Sequence, residues 1–316
     1  MEEELTKKFP TTSIEFDEMF STEEKCEEYL FHIRWKNGFE CSKCGHKEFW
    51  RGATGHYICR ACEYQQSIKA GTIMHKSKKP LKLWFKAMWM FVVSKRGVNA
   101  REFERELGLS YPTAWLWLQK IRRSSLNQER SKLSDTVEVD EFYVGGKKKG
   151  SKQGRGSENK AKVVAAVEKR RNKKTKQEYV GRLRLQVINS CNSEELTTFV
   201  KNNIHIDSLV RTDKWTGYCK LKENGYEHYA EKIKNYDTDF KGLHNVISLI
   251  KRWILGTFQG SVGAKHFQWY MEEFTFRFNR RFQNIGKKFR RFVELSIVSK
   301  PLTYKQIVKN LKYLDT

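Results

Sequence analysis

Asp140 in VEVDEFYVGG, Asp213 in SLVRTDKWTGY and the polar row of LHNVISLIKRWILGT are the residues whose types and spacing could do chemistry. Val137 and Val139 alternate with polar neighbours, and Phe142, Tyr143 and Val144 run on to a Gly145-Gly146 stop, so the first stretch reads as a strand. Asp140 then sits within a core strand, where an ionised carboxylate is costly unless something positive satisfies it. Leu209 and Val210 lead into Asp213 at the carboxyl end of a second strand, the end at which open α/β sheets receive their ligands. In the third stretch Val246, Ile247, Ile250, Ile254 and Leu255 form the apolar stripe of a helix. His244, Ser248 and Lys251, at i, i+4 and i+7, share another face of it. Two strand-borne carboxylates beside such a row can hold a divalent cation against a phosphate. The competing reading makes one aspartate a turn cap and the other a surface ion-pair partner; two matching contexts in a strongly basic chain favour the metal.

A second constellation lies upstream. Cys41, Cys44, Cys59 and Cys62 give C-x2-C-x14-C-x2-C, the spacing at which each x2 pair forms a tight knuckle offering two thiolates to one tetrahedral Zn2+. Phe49, Trp50, Tyr57 and Ile58 between the knuckles suggest the hairpin strands of a zinc ribbon. His46, His56 and His75 could ligate, but the cysteine set is already complete. Four free thiols are the alternative.

Several elements must position these residues. Residues 1–36 form an N-terminal helical segment, with Thr22 able to cap the helix of TEEKCEEYLFHIRW. The ribbon spans 37–78. From 79 to 125 the pattern is helical: Leu81, Trp84, Phe85, Met88, Trp89, Phe91 and Val92 make a core stripe. GVNAREFERELGLSYPTAWLWLQKIRRS then reads as a helix-turn-helix, with Asn99 as cap and Gly108-Leu109-Ser110 as turn. Ser110, Tyr111 and Thr113 open its second helix where base-reading side chains sit, and Lys120, Arg122 and Arg123 give it a basic end; a plain helical spacer is the alternative.

A polar linker, 126–134, precedes an α/β catalytic domain at 135–285. Its order is the Asp140 strand, a basic loop with Lys147, Lys148 and Lys149, strands at 162–167 and 179–189 around the basic turn RRNKKTKQ, a helix at 193–203 and the Asp213 strand. A short helix at 215–224, a strand at 226–230, the His244 helix and a long helix from about residue 264 follow, and a helical tail occupies 286–316. Glu141 points to the strand face opposite Asp140 and is a poor co-ligand.

Composition narrows the partners. Against 37 Asp and Glu stand 61 Lys and Arg, a formal charge of +24, which points to a polyanion, with nucleic acid leading and a membrane surface the rival. The basic residues are spread along the chain and no amphipathic helix gathers them, which argues against the membrane. No run is apolar enough to cross a bilayer, and MEEELTKKFP lacks the apolar core of a signal peptide, so a cytoplasmic, nucleoid-associated protein is expected. The cysteines are then thiols or metal ligands and not disulfides.

VDEFYVGG, TDKWTGY, HNVISLIKRWILGTFQGSV and KHFQWYMEEFTFRFNRR together resemble the transposases of small bacterial insertion sequences that carry a zinc ribbon before a ribonuclease-H-like DDE domain. The block from Glu272 to Arg281 is the most specific part, and the likeness spans roughly the whole chain. The resemblance implies a mixed sheet flanked by helices, preceded by the ribbon and the helix-turn-helix. It implies double-stranded DNA as partner, transposon ends and target alike, and a homodimer or larger assembly on it. Asp140 and Asp213 would hold catalytic Mg2+ or Mn2+, and His244 falls where the family usually has Glu. An imidazole there departs from the oxygen ligands that Mg2+ prefers, leaving room for Mn2+ or a water-mediated role. Glu272 or Glu273 is the alternative third carboxylate, ranked behind His244 and more suited to orienting Arg277 or Arg281. Lys251, with Arg252 beside it, would hold a DNA phosphate. The implied activity is cleavage and strand transfer at terminal inverted repeats; a nuclease without strand transfer and a catalytically retired DNA-binding regulator are the alternatives.

Overall fold

The structure is a computed structural model that describes residues 9–126, 130–145, 160–234, 238–260, 262 and 264–309. Lys147, Lys148 and Lys149 of the basic loop lie outside the described residues. Two compact units divide the chain, Met1–Leu126 with Phe282–Thr316, and Asn127–Arg281.

The first unit begins with α1 (Ser13–Met19) and α2 (Glu23–Arg34), each started by a threonine whose hydroxyl accepts a backbone N–H of the first turn: Thr12 from Glu15, Thr22 from Lys25. A three-stranded antiparallel ribbon follows, β1 (Phe49–Arg51), β2 (Tyr57–Cys59) and β3 (Gln65–Gln66). Next come α3 (Leu81–Val93), α4 (Ala100–Leu107) and α5 (Tyr111–Ser124). Asn99 and Glu102 form a reciprocal capping box at the start of α4, and Gly108 ends it in the left-handed region at φ 59°, so the chain can reverse into α5.

The tail is no appendage. Within it, α9 (Ile285–Val298) supplies Phe289 to an aromatic cluster with Phe16, Phe20, Phe85 and Trp89. Phe292, Val293 and Leu295 on the same helix are also buried, so its apolar face completes a core that the N-terminal helices leave open. A final helix, α10, spans Tyr304–Lys309.

The second unit is built on a five-stranded mixed sheet in the order β6-β5-β4-β7-β8. The strands are β4 (Thr136–Val144), β5 (Ala161–Arg171), β6 (Glu178–Ile188), β7 (Leu209–Asp213) and β8 (Glu227–Glu231). Neighbours are antiparallel from β4 to β6 and parallel from β4 through β7 to β8. Helix α6 (Ser193–Asn203), capped by Asn192, makes the crossover into β7 and buries Leu196, Phe199 and Val200 against Val137, Val139 and Val210. On the opposite face α7 (Lys241–Phe258) and α8 (Phe267–Asn279) cover Phe142, Val144, Val163, Ala165, Leu183 and Leu185. Helices on both faces of a mixed sheet give the expected ribonuclease-H-like layering. The segment expected as a linker contributes Leu133, fully buried and bridged to Ile204.

One stripe differs from expectation. Leu255 is 68% exposed, and Leu243 and Trp253 are buried in its stead. Residues 243, 246, 247, 250, 253 and 254 keep to one side at about 100° per residue, whereas 255 falls roughly 120° from 243.

Helix α8 also closes the outer edge of β6. Asn279 accepts from Leu183 N–H and donates to its carbonyl, Gln268 does the same for Val187 N–H and Leu185 C=O, and Arg281 donates to Gly181 and Val180 carbonyls. Side-chain amides thus substitute for a sixth strand on an edge that would otherwise pair with another chain. The family-like block ending in Asn279-Arg280-Arg281 is, in this respect, a structural device.

Candidate functional site

The parallel pairing of β4 with β7 sets the geometry. Thr136 lies opposite Leu209, Val137 opposite Val210 and Glu138 opposite Arg211. Carried two residues further, the same register sets Asp140 beside Asp213. Side chains alternate along a strand, so Glu138, Asp140 and Phe142 share one face of β4, and Arg211 and Asp213 the same face of β7. Phe142 belongs to the α7 and α8 side of the core, which places both aspartates on that side of the sheet. Neighbouring strands lie about 4.8 Å apart, close enough for two such carboxylates to reach one cation.

Both carboxylates are held by local backbone. Asp140 Oδ1 accepts from Glu141 N–H at 2.8 Å, and Asp213 Oδ1 from Trp215 N–H at 3.0 Å. Behind the sheet, the buried Tyr218 hydroxyl donates to Glu141 Oε2 at 2.9 Å. Burial pushes that phenol well above its ordinary value, and the charges of Glu141, Asp140 and Asp213 add to the effect. Glu141 faces away from Asp140, as strand alternation requires. Sequence reasoning missed Tyr218, although it closes the Trp-Thr-Gly turn after Asp213.

It also missed the ion pair one step along the ladder. Glu138, buried to 2% exposure, accepts from Arg211 at 3.3 Å and pairs with Lys169 at 3.5 Å. Burial raises its pKa, and the two cations oppose the rise. Alternation in VEVDEF beside LVRTD was the available signal, because it stacks a Glu–Arg pair next to an Asp–Asp pair.

Helix α7 runs alongside β4. A Cβ built on Gly242 would stand 4.0 Å from Glu138 Oε2, and Lys251 Nζ lies 5.9 Å from the centre of the Phe142 ring. His244 and Ser248 lie between those two points in sequence. Burial, and after it the charge of Lys251, lower the His244 pKa, so the imidazole is held neutral. Lys251 and Arg252 are exposed on the outer side.

Among the described residues, the cysteines form the one group of three or more His, Cys, Asp or Glu whose ligand atoms gather as if round an ion. Asp140, Asp213 and His244 do not form such a group. Glu272 and Glu273 do not join them. Both are buried on α8, Glu272 held by Arg130 at 3.2 Å and Gln268 at 2.7 Å, Glu273 by Arg277 at 2.9 Å.

The four cysteine sulfurs all lie within 4.8 Å of one another, with Cys41–Cys62 at 3.7 Å and Cys44–Cys59 at 3.5 Å. A tetrahedral ion with Zn–S bonds of about 2.3 Å separates its sulfurs by about 3.8 Å, so the donor set fits Zn2+. His56 bonds Thr54 and His75 accepts from Gly71 N–H; neither is in the cluster.

In the helical hairpin, Ser110 and Thr113 hydroxyls bond each other at 3.0 Å, and Tyr111 is exposed beneath the Arg101 guanidinium at 4.4 Å. Arg122 departs from expectation. It is 1% exposed and donates to the Val98 carbonyl, so it locks α5 to the segment before α4 and offers no charge to solvent. Lys120 is partly buried, which lowers its pKa, and Arg123 is half-buried.

A mixed five-stranded sheet with helices on both faces is the layering of a ribonuclease-H-like transposase domain. Residues 132–279 match the ISXO2-like transposase domain and residues 21–65 the transposase zinc-ribbon domain. The two matched segments thus resemble a transposase catalytic domain and a transposase zinc ribbon. It is similar to an uncharacterized protein in transposable element ISH50 of Halobacterium salinarum, 25% identical over 257 residues that cover 74% of this chain and 84% of that one.

Proposed function

We propose that the protein is a DDE-type transposase that binds double-stranded DNA at transposon ends and catalyses divalent-metal-dependent strand cleavage and strand transfer. The observation that supports this reading is the parallel register of β4 with β7, which, carried two residues past Glu138 and Arg211, would bring Asp140 opposite Asp213. Asp140 and Asp213 would hold Mg2+ or Mn2+, which supplies activation of the attacking oxygen and stabilisation of the leaving one. Their backbone hydrogen bonds keep the carboxylates oriented before DNA arrives. His244, neutral and flanking, would take a hydrogen bond to water or phosphate near the aspartates in place of the family's third carboxylate. Lys251 would hold a phosphate oxygen as a point charge. Zn2+ on Cys41, Cys44, Cys59 and Cys62 would have a folding role. Ser110, Tyr111 and Thr113, with Arg101 stacked on Tyr111, would meet DNA at the first turn of α5, and Lys120 and Arg123 would add charge at its far end. Assembly as a homodimer or larger complex would let two DNA ends be processed together.

The test uses the full chain with a duplex carrying the DNA ends that flank its coding region, plus a target plasmid. Wild type should cleave and join. Asp140→Ala should bind the duplex normally and lose cleavage by about 1,000-fold or more, the several kcal/mol that metal assistance contributes. Cleavage without joining by wild type would establish the nuclease. Binding without cleavage by wild type would establish the regulator.

A further inference from the structure

The basic turn between β5 and β6 has no part in the site above, yet it is a built feature. Asn172 organises it: its N–H donates to Gln177 O at 2.9 Å, its carbonyl accepts from Lys176, and its side chain accepts from Lys174 N–H at 2.8 Å and Thr175 N–H at 3.2 Å. Lys176 takes the left-handed conformation at φ 59° that closes the turn. Five cations, Arg170, Arg171, Lys173, Lys174 and Lys176, fall within seven residues, all exposed.

They divide by role. The stem cations are committed within the fold: Arg170 to Glu168 at 3.0 Å, Arg171 to Glu178 at 3.3 Å, Lys169 to Glu178 at 3.1 Å. Lys173, Lys174 and Lys176 make no ion pair among the described residues. Internal pairing stiffens the stem, and the ordered turn carries three uncommitted charges at its tip.

The stem also opens an elongated hollow. A cavity of about 970 Å³ is lined by Lys169, Arg170, Arg171, Lys173, Tyr179 and Arg211, with Asp135 and Glu178 as its acidic members. A second cavity of about 510 Å³ shares Lys169, Glu178, Tyr179 and Arg211 with the first and adds Lys241 and the acidic Glu138 and Asp239. The two adjoin along the base of the hairpin. A pocket for a small anion would gather its cations round a point. Here they are strung along a two-stranded ribbon rising about 3.3 Å per residue, which suits a regularly charged backbone.

We propose that the β5–β6 hairpin, with the groove at its base, is a sequence-independent docking surface for the phosphate backbone of duplex DNA, separate from the helix-turn-helix. The proposal extends the DNA reading but does not need the aspartates to be catalytic.

Its test is a salt titration of random-sequence duplex binding to the full chain without divalent metal. Lys173→Gln, Lys174→Gln and Lys176→Gln are combined in one variant. A control combines Lys201→Gln, Lys220→Gln and Lys222→Gln, three exposed lysines of α6 and the short helix after β7. Each lysine bound to a phosphate contributes about 0.9 to the slope of log affinity against log salt. The hairpin variant should therefore bind with a slope shallower by about 2 to 3, and the control with the wild-type slope. Between about 50 and 200 mM salt, the wild type should lose up to roughly 40-fold more affinity than the hairpin variant. A hairpin slope within one unit of wild type, or an equal change in the control, overturns the proposal. The titration is read without divalent metal and without cleavage, so loss of the cleavage reading and loss of this one are separate results.

Discussion

In the proposed site His244 takes the place of a third carboxylate, and its surroundings lower its pKa. Burial is the larger cause of its lowered pKa and Lys251 the smaller. Lys251→Met should therefore move the pKa upward while leaving it below the ordinary histidine value of about 6.5. A pH titration of the histidine ring resonances, metal-free, checks both parts. The sign for stability follows from proton uptake. Because the folded pKa is depressed, the unfolded chain binds the proton more readily, so the contribution is intact above about 6.5 and declines as pH falls through the folded value. A neutral ring at physiological pH is also what a ligand or hydrogen-bonding role beside two aspartates requires.

At the scale of elements, Glu168 joins three strands. Its buried carboxylate accepts from Arg182 Nε at 3.0 Å, from Ser134 N–H at 3.0 Å and from Arg182 N–H at 3.2 Å, tying β5 to β6 and to the approach to β4. Burial alone would raise its pKa, but the Arg182 and backbone hydrogen bonds win and bring it to about 2. The stability it contributes is present above the ordinary glutamate value of about 4.3 and is lost as pH falls toward 2. Glu168→Gln should cost about 3–5 kcal/mol, read as a lower urea midpoint at pH 7, with less difference from wild type near pH 2 to 3. Elements of this kind were largely legible: VEVDEFYV, RTDKWTGY and the α7 pattern announce their strands and helix through period and turn chemistry, and the register between β4 and β7 follows once they pair in parallel. Contacts made across sequence were not. Arg122 sits at a helix end, where a cation ordinarily meets solvent, and only the neighbouring Val98 carbonyl makes it interior. Phe289 reads as part of a tail until the aromatic ring around Phe16 and Phe85 is seen to need it. Tyr218 is one tyrosine among 13 until its hydroxyl is seen to donate to the buried Glu141.

For the whole molecule, a formal charge of +24 makes association with DNA strongly salt-dependent whatever the chemistry, so binding alone says little about catalysis. The two compact units divide the labour by composition: one holds the four-cysteine centre and the helical hairpin, the other the aspartates and the basic β-hairpin. What separates an enzyme from a basic scaffold is whether the central parallel strands grip a divalent cation. Titration of Mn2+ into the zinc-loaded full chain bound to duplex DNA, followed by electron paramagnetic resonance, reads that grip directly. Asp140→Asn and Asp213→Asn should each weaken Mn2+ binding by at least about tenfold and the double variant should abolish it, whereas Asp207→Asn, in an exposed turn, should bind as wild type. A double variant that binds Mn2+ as tightly as the wild type would contradict the account.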